Sequence, residues 1–120
     1  MYILMVAFVS MIIAGCSSNP SSSGNNDALA KCLAEKGVTM YGASWCPHCQ
    51  AQKKLFGDSF QYINYVECSN DQNPQAESQQ CQDANISGYP TWIINGAQYP
   101  GEQTFYDLAK NAGCLGNITG

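Results

Sequence analysis

The stretch Val38-Thr39-Met40-Tyr41-Gly42-Ala43-Ser44-Trp45-Cys46-Pro47-His48-Cys49-Gln50-Ala51-Gln52-Lys53-Lys54-Leu55-Phe56 changes character at its middle. Val38 to Ala43 is short and apolar, the pattern of a buried strand. Cys46 to Phe56 follows as a helix with Pro47 in its first turn, where the missing N–H would have no intrahelical partner anyway. Two cysteines two residues apart therefore stand where a strand hands over to a helix, within disulfide reach of each other.

Upstream, Asp27 can cap a helix whose Leu29, Cys32 and Leu33 recur at i, i+3 and i+4 before Gly37 stops it. Downstream, Tyr62 to Cys68 is a second strand, followed by a polar, Gln-rich helix from about Pro74 to Asn85. Thr91-Trp92-Ile93-Ile94 and Ala97-Gln98-Tyr99 flank Asn95-Gly96, the pair best suited to a type I′ hairpin turn. A last helix from about Gln103 to Ala112 gathers Phe105, Leu108, Ala109 and Ala112 on one face, with Gly113 at its end. A strand–helix–strand crossover is right-handed, so the first two strands run parallel and the hairpin adds antiparallel pairing. The expected class is α/β, a four-stranded mixed sheet with helices on both faces and an extra N-terminal helix.

The 120 residues give room for one small domain, from Ala28 to Leu115, with residues 116–120 as a tail. Only 12% of residues are charged and the net charge is -4, which argues against a nucleic-acid binder with a basic face. Seven cysteines in so short a chain favour an oxidising compartment. Residues 1–15 are almost uninterruptedly apolar, too few to span a bilayer comfortably, and Ile13-Ala14-Gly15-Cys16 resembles the lipobox of prokaryotic lipoproteins. The expectation is a lipoprotein signal peptide over 1–15, lipid attachment at Cys16, and a Ser- and Asn-rich tether over 16–27. An uncleaved short anchor and ordinary secretion are the alternatives, and all three export the domain. No Lys or Arg precedes the apolar run.

The chemistry of the Cys46/Cys49 pair follows from its position. At the helix N-terminus, unpaired N–H groups and the positive dipole end favour the Cys46 thiolate, making it the attacking and leaving sulfur. Cys49, one turn further in, resolves the mixed disulfide. His48 can donate to the Cys46 sulfur or bring a positive charge near it, and with Pro47 biases the centre toward donating disulfides. A zinc half-site would need a second ligand pair, but Cys68 and Cys81 lie 13 residues apart and His48 is the sole histidine. A purely structural disulfide is the other bland alternative. Tyr89-Pro90 precedes an apolar strand, so Pro90 is either a strand opener or part of a cis bond that turns the Tyr89 carbonyl and amide outward to a bound polypeptide.

With these residues in view the chain resembles the thioredoxin superfamily. Trp45-Cys46-Pro47-His48-Cys49 matches its WCxxC centre and Tyr89-Pro90-Thr91 its cis-proline loop. Cys-Pro-His-Cys is also the pair of Dsb-type oxidants. Met40-Tyr41-Gly42-Ala43, Lys54-Leu55-Phe56-Gly57, Tyr65-Val66-Glu67-Cys68 and Tyr89 to Gly96 look like the thioredoxin-like domain of bacterial vitamin K epoxide reductase homologues. The resemblance implies a thioredoxin fold over about Ala28 to Gly113, catalysis by Cys46 and Cys49 with Pro47 and His48, and a substrate groove at Trp45, Tyr89 and Pro90. It also implies a structural Cys68–Cys81 disulfide, for which a second redox relay is the alternative. No cofactor or metal is implied.

The partners expected on that basis are cysteine-containing exported proteins and a separate quinone-linked membrane oxidase, with the domain facing the periplasm or cell exterior. A reductase or isomerase using the same residues is the second enzymatic reading, and an anchored binding module is the third. The sequence departs from many superfamily members in carrying Met40, six residues before Cys46, where an acidic residue usually helps move the proton of the second cysteine. Glu67 can substitute only if it points inward. Cys32 and Cys114 stay open: they pair, or Cys32 simply fills its apolar stripe. Asn85-Ile86-Ser87 and Asn117-Ile118-Thr119 match the glycosylation sequon, a pattern short enough to arise by chance.

Overall fold

The computed structural model describes residues 26–70, 73 and 76–118. The expected signal peptide, Cys16 and the tether as far as residue 25 lie outside the described residues. Among the described residues no helix is long and apolar enough to cross a membrane.

The first helix, α1, spans Asp27–Glu35. Asn26 rather than Asp27 holds its capping position. Asp27 lies in the first turn, where its carboxylate accepts a hydrogen bond from the Ser59 hydroxyl. The chain turns at Gly37, with φ at 73°, a left-handed conformation that costs a residue with a Cβ. The first strand, β1, is Thr39–Gly42, and the helix carrying the cysteine pair, α2, is Pro47–Phe56. A 3-10 stretch then occupies Gly57–Tyr62, so the second strand, β2, is only Asn64–Glu67. Its inward residues, Ser59 and Phe60, are adjacent and one of them is polar, so the stretch carries no apolar period.

Of the expected helix from about Pro74 to Asn85, the described residues show α3, Gln79–Asp83. Ser69 pairs with Glu77 in an antiparallel bridge, and the Ser78 N–H donates to the Cys68 carbonyl at 2.8 Å. The approach to this helix is therefore held extended against the end of β2. Strands β3, Thr91–Ile94, and β4, Ala97–Pro100, form the expected hairpin. Asn95 and Gly96 both take positive φ, 51° and 80°, as a type I′ turn requires. The last helix, α4, spans Phe105–Ala112. Thr104 caps it by accepting from the Asp107 N–H, and Gly113 ends it in the left-handed conformation.

The strand order is β2-β1-β3-β4. β1 runs parallel to β2, and both β1/β3 and β3/β4 are antiparallel. Met40 and Trp92 are paired in the ladder and both are fully buried, so this row sits at the centre of the core. On that face the side chains of Met40, Trp92 and Ile94 meet Leu29 and Leu33 from α1, Phe56 from α2, and Leu108 and Ala109 from α4. The period of two sends Tyr41, Val66 and Ile93 to the opposite face. There they pack on a smaller cluster of Cys68, Cys81 and Ile86, next to α3. Helical cover therefore lies on both faces, unevenly divided.

Cys32 of α1 and Cys114, just past α4, form a disulfide across 82 residues of sequence. Cys68 and Cys81 form the other, across 13. On a chain-entropy account closing loops of these lengths stabilises a small domain by about 4.5 and about 3 kcal/mol respectively.

Candidate active site

The site is assembled where β1 ends. Cys46 occupies the N-cap position of α2 with an extended backbone, so its sulfur stands at the helix's open N–H groups. Pro47 takes the first turn. Cys46 and Cys49 are the two cysteines that are not disulfide-bonded among the described residues. Cys49 is fully buried, as the interior position of a resolving sulfur demands. Cys46, whose role suggests an open sulfur, keeps only 5% of its surface accessible. The reason is the loop before β3, which lies over it: the Cys46 thiol donates to the Tyr89 carbonyl at 3.6 Å.

The Tyr89–Pro90 peptide is cis. In this state the Tyr89 carbonyl is taken by the Cys46 thiol rather than turned outward. Pro90 is buried, and the Thr91 hydroxyl closes the loop by donating to the Gly88 carbonyl at 2.7 Å. Trp45 is 55% exposed, and its ring meets that of Tyr89 edge-on, 6.0 Å between centroids. A CxxC helix entered from β1, a cis-proline loop entering β3, and the strand order β2-β1-β3-β4 now stand together. The architecture is a thioredoxin fold.

Within this thioredoxin fold the second cysteine is electrostatically costly to ionise. Burial pushes the Cys49 thiol up to about 12 from an ordinary 9.0. A backbone hydrogen bond with Ala43 counteracts this in part, and the neighbouring Cys46 adds to it. Met40, a thioether fully buried in the apolar core, carries no carboxylate. Glu67 is half-buried at the end of β2, with Oε2 accepting from the Tyr65 hydroxyl at 3.3 Å and the Ser69 N–H at 3.4 Å.

His48 makes its hydrogen bond away from the sulfur. Its Nδ1 meets Glu102 Oε2 at 2.9 Å, in the loop between β4 and α4, and both side chains are largely exposed. Glu102 was beyond sequence reasoning, because the pair is separated by 54 positions and no local pattern links them.

A second group missed in the sequence is Gln52. It lies one turn beyond Cys49 on the same buried stripe of α2, with 1% of its surface accessible. Its Oε1 accepts from the Trp92 indole N–H at 3.1 Å and from the Gln103 N–H at 2.7 Å, while its Nε2 donates to the Gln103 carbonyl at 3.1 Å. This one side chain ties the cysteine helix to β3 and to the approach to α4. A polar residue on an otherwise apolar stripe was the available signal. Among the described residues no group of three or more His, Cys, Asp or Glu side chains is placed to hold a metal ion.

No family model matches the sequence. Over 96 residues, 78% of this chain, it is 45% identical to the thiol-disulfide oxidoreductase LTO1 of Arabidopsis thaliana. The chain spans 26% of that relative's length. Two solved structures are similar at lower identity. Oxidized glutaredoxin 2 from Chlamydomonas reinhardtii is 23% identical with a TM-score of 0.43, over 74% of this chain and 96% of that one. Thioredoxin O2 from Arabidopsis thaliana in its oxidized state is 17% identical with a TM-score of 0.39, over 75% of this chain and 84% of that one.

Proposed function

We propose that the chain is a thiol–disulfide oxidoreductase that donates the Cys46–Cys49 disulfide to cysteines of exported proteins. The observation that carries this reading is the placing of Cys46. Its sulfur stands at the N-terminus of α2, 3.6 Å from the carbonyl that precedes a cis proline, with Cys49 buried one turn deeper. A structural disulfide would need neither the helix terminus nor the loop. The 45% identity to a protein named as a thiol-disulfide oxidoreductase supports the same chemistry.

In the forward direction a substrate thiolate attacks Cys46 Sγ, the Cys46–Cys49 bond breaks, and its electron pair leaves on Cys49. A second substrate thiolate then attacks the substrate sulfur of the mixed disulfide and releases Cys46. The substrate gains one disulfide, and the pair takes up two electrons as a dithiol. A membrane oxidase, quinone-linked, would return the pair to the disulfide. The oxidant direction is supported by Pro47-His48 between the cysteines and by two further disulfides, which suit an oxidising compartment. Export and anchoring are supported by the apolar segment ending at Cys16.

A redox titration of the Cys46–Cys49 pair against glutathione tests the direction. A pair that stays largely dithiol in a buffer that oxidises glutathione supports the oxidant. Trapping of mixed disulfides on a Cys49→Ala variant identifies substrates. Absence of any exchange with glutathione disulfide would remove the enzymatic reading altogether.

A further inference from the structure

The buried Cys49 must give up a proton when it closes the disulfide and recover one when the disulfide opens. Its place in the fold leaves few groups to handle that proton. Gly42, the last residue of β1, is the point of contact. A Cβ built there would lie 3.0 Å from Cys49 Sγ, 3.0 Å from the ring edge of Tyr65 and 3.1 Å from the Tyr65 hydroxyl oxygen. The thiol and the phenol thus press on the same bare backbone position, one from α2 and the other from β2. From that spot the Tyr65 hydroxyl donates to Glu67 Oε2 at 3.3 Å. Glu67 is half-buried, so the chain of groups runs from the enclosed sulfur to the solvent margin.

We propose that Tyr65 and Glu67 form the proton route of Cys49, with the phenol passing the proton and the carboxylate exchanging it with water. The inference rests on the thiol–disulfide chemistry proposed above. When Cys49 attacks a mixed disulfide on Cys46, the Cys49 S–H proton moves to the Tyr65 oxygen, directly or across one water. At the same time the Tyr65 O–H proton moves to Glu67. The Cys46–Cys49 bond forms, the bond to the substrate sulfur breaks, and the electron pair leaves on that sulfur. Glu67 then releases its proton to solvent. Disulfide opening runs the same path backward and delivers a proton to the leaving Cys49.

The electrostatics agree with this path. Burial, the Glu67 charge and the nearby Cys49 all raise the Tyr65 phenol, so it stays neutral and acts as a relay rather than as a base. The charged and titratable groups facing Cys49 are Cys46 and Lys53 on α2, Tyr65 and Glu67 on β2, and Tyr89 on the loop before β3. Lys53 places its ammonium 4.0 Å from the centre of the Tyr65 ring, fixing the ring from its outer face. Burial, first, and then the Glu77 carboxylate raise the Tyr89 phenol.

The test separates the two steps of oxidation of the reduced full chain by glutathione disulfide. In the first, Cys46 forms a mixed disulfide and one glutathione leaves; in the second, Cys49 closes the pair and the second glutathione leaves. Tyr65→Phe keeps the ring with its Lys53 contact, and Glu67→Gln keeps the shape of the carboxylate. In both variants the second step should slow by about 10- to 100-fold at neutral pH. The first step, and alkylation of Cys46 in a Cys49→Ala background, should change by less than twofold. A small buffer base such as imidazole should restore the second step in Tyr65→Phe. A second step unchanged in both variants, or slowed equally with the first and without rescue, overturns the proton route while leaving the exchange chemistry standing. No exchange by the unaltered chain would overturn both.

Discussion

Cys49 Sγ lies 3.0 Å from the point where a Cβ on Gly42 would stand. Glycine there is a matter of space: its φ is not in the left-handed region, and what it provides is room for the resolving sulfur and the Tyr65 ring on one side of β1. The backbone atoms of a strand cannot yield, so an added methyl group has to displace the sulfur or the ring. Gly42→Ala is expected to destabilise the domain by about 1–3 kcal/mol, the usual cost of overpacking a filled core. It should also slow closure of the Cys46–Cys49 disulfide while Cys46 still reacts with alkylating agents. Urea unfolding and rapid-mixing oxidation measure the two effects.

The raised Cys49 thiol gives a pH dependence with a definite sign. Burial favours the neutral thiol in the folded state, whose value is about 12 against an ordinary 9.0. The stability it contributes is full below pH 9 and is lost as pH rises toward 12. The reduced chain should therefore lose stability over that window more steeply than a Cys49→Ala variant does, in urea titrations at matched pH. In a Cys46→Ala variant, alkylation of Cys49 should climb about tenfold per pH unit from pH 8 to 10 without levelling, because burial is the largest cause and survives the substitution. A plateau near pH 9 would contradict the burial.

The strand–turn–CxxC–helix junction and the hairpin could be read from the chain because each is written in adjacent residues. A proline at a helix start, an Asn-Gly pair, and a run of apolar residues act over a few positions. The 3-10 stretch at Gly57–Tyr62 and the extended approach to α3 could not. The first depends on Ser59 and Phe60 finding partners in α1 and α2, and the second on the Ser69–Glu77 bridge and the Cys68–Cys81 link. The same division runs through the site. Cys46, Cys49 and Pro90 stand out by type and spacing, whereas Glu102 and Gln52 matter through contacts 54 and 40 positions distant. Cys46 is enclosed rather than open for the same reason, because the Tyr89 loop that covers it arrives from 43 residues away.

Gln52→Leu removes the acceptor of both the Trp92 indole N–H and the Gln103 backbone N–H. The indole is fully buried, and leaving a buried donor unpaired costs about 1–3 kcal/mol. The variant should be destabilised by about 2–4 kcal/mol in urea, more than the apolar gain of leucine returns. Hydrogen exchange should rise at α2 and at the start of α4 together, since the one side chain joins them.

The Cys32–Cys114 disulfide clamps the first helix to the end of the last and involves neither cysteine of the reactive pair. Replacing both residues by alanine should cost about 2–5 kcal/mol of stability. Exchange of Cys46–Cys49 with glutathione should stay within about twofold of the unaltered chain below the unfolding transition. The comparison of urea midpoints with initial exchange rates checks both parts, and a large loss of exchange in the folded variant would tie this disulfide to the chemistry.

Glu102 bears on the potential of the pair through His48. His48 sits in the first turn of α2, two residues from Cys46, and its Nδ1 is engaged by the Glu102 carboxylate at 2.9 Å. An anion held at that end of the helix opposes the positive dipole that favours negative charge on Cys46. Glu102→Gln removes the anion but keeps a hydrogen-bonding partner for the ring. The equilibrium with glutathione should shift toward the dithiol by about two- to threefold, a small factor because both side chains are largely exposed and water screens them. The shift should shrink further at 1 M salt, where the screening length falls to about 3 Å. A shift toward the disulfide instead would contradict this account of Glu102.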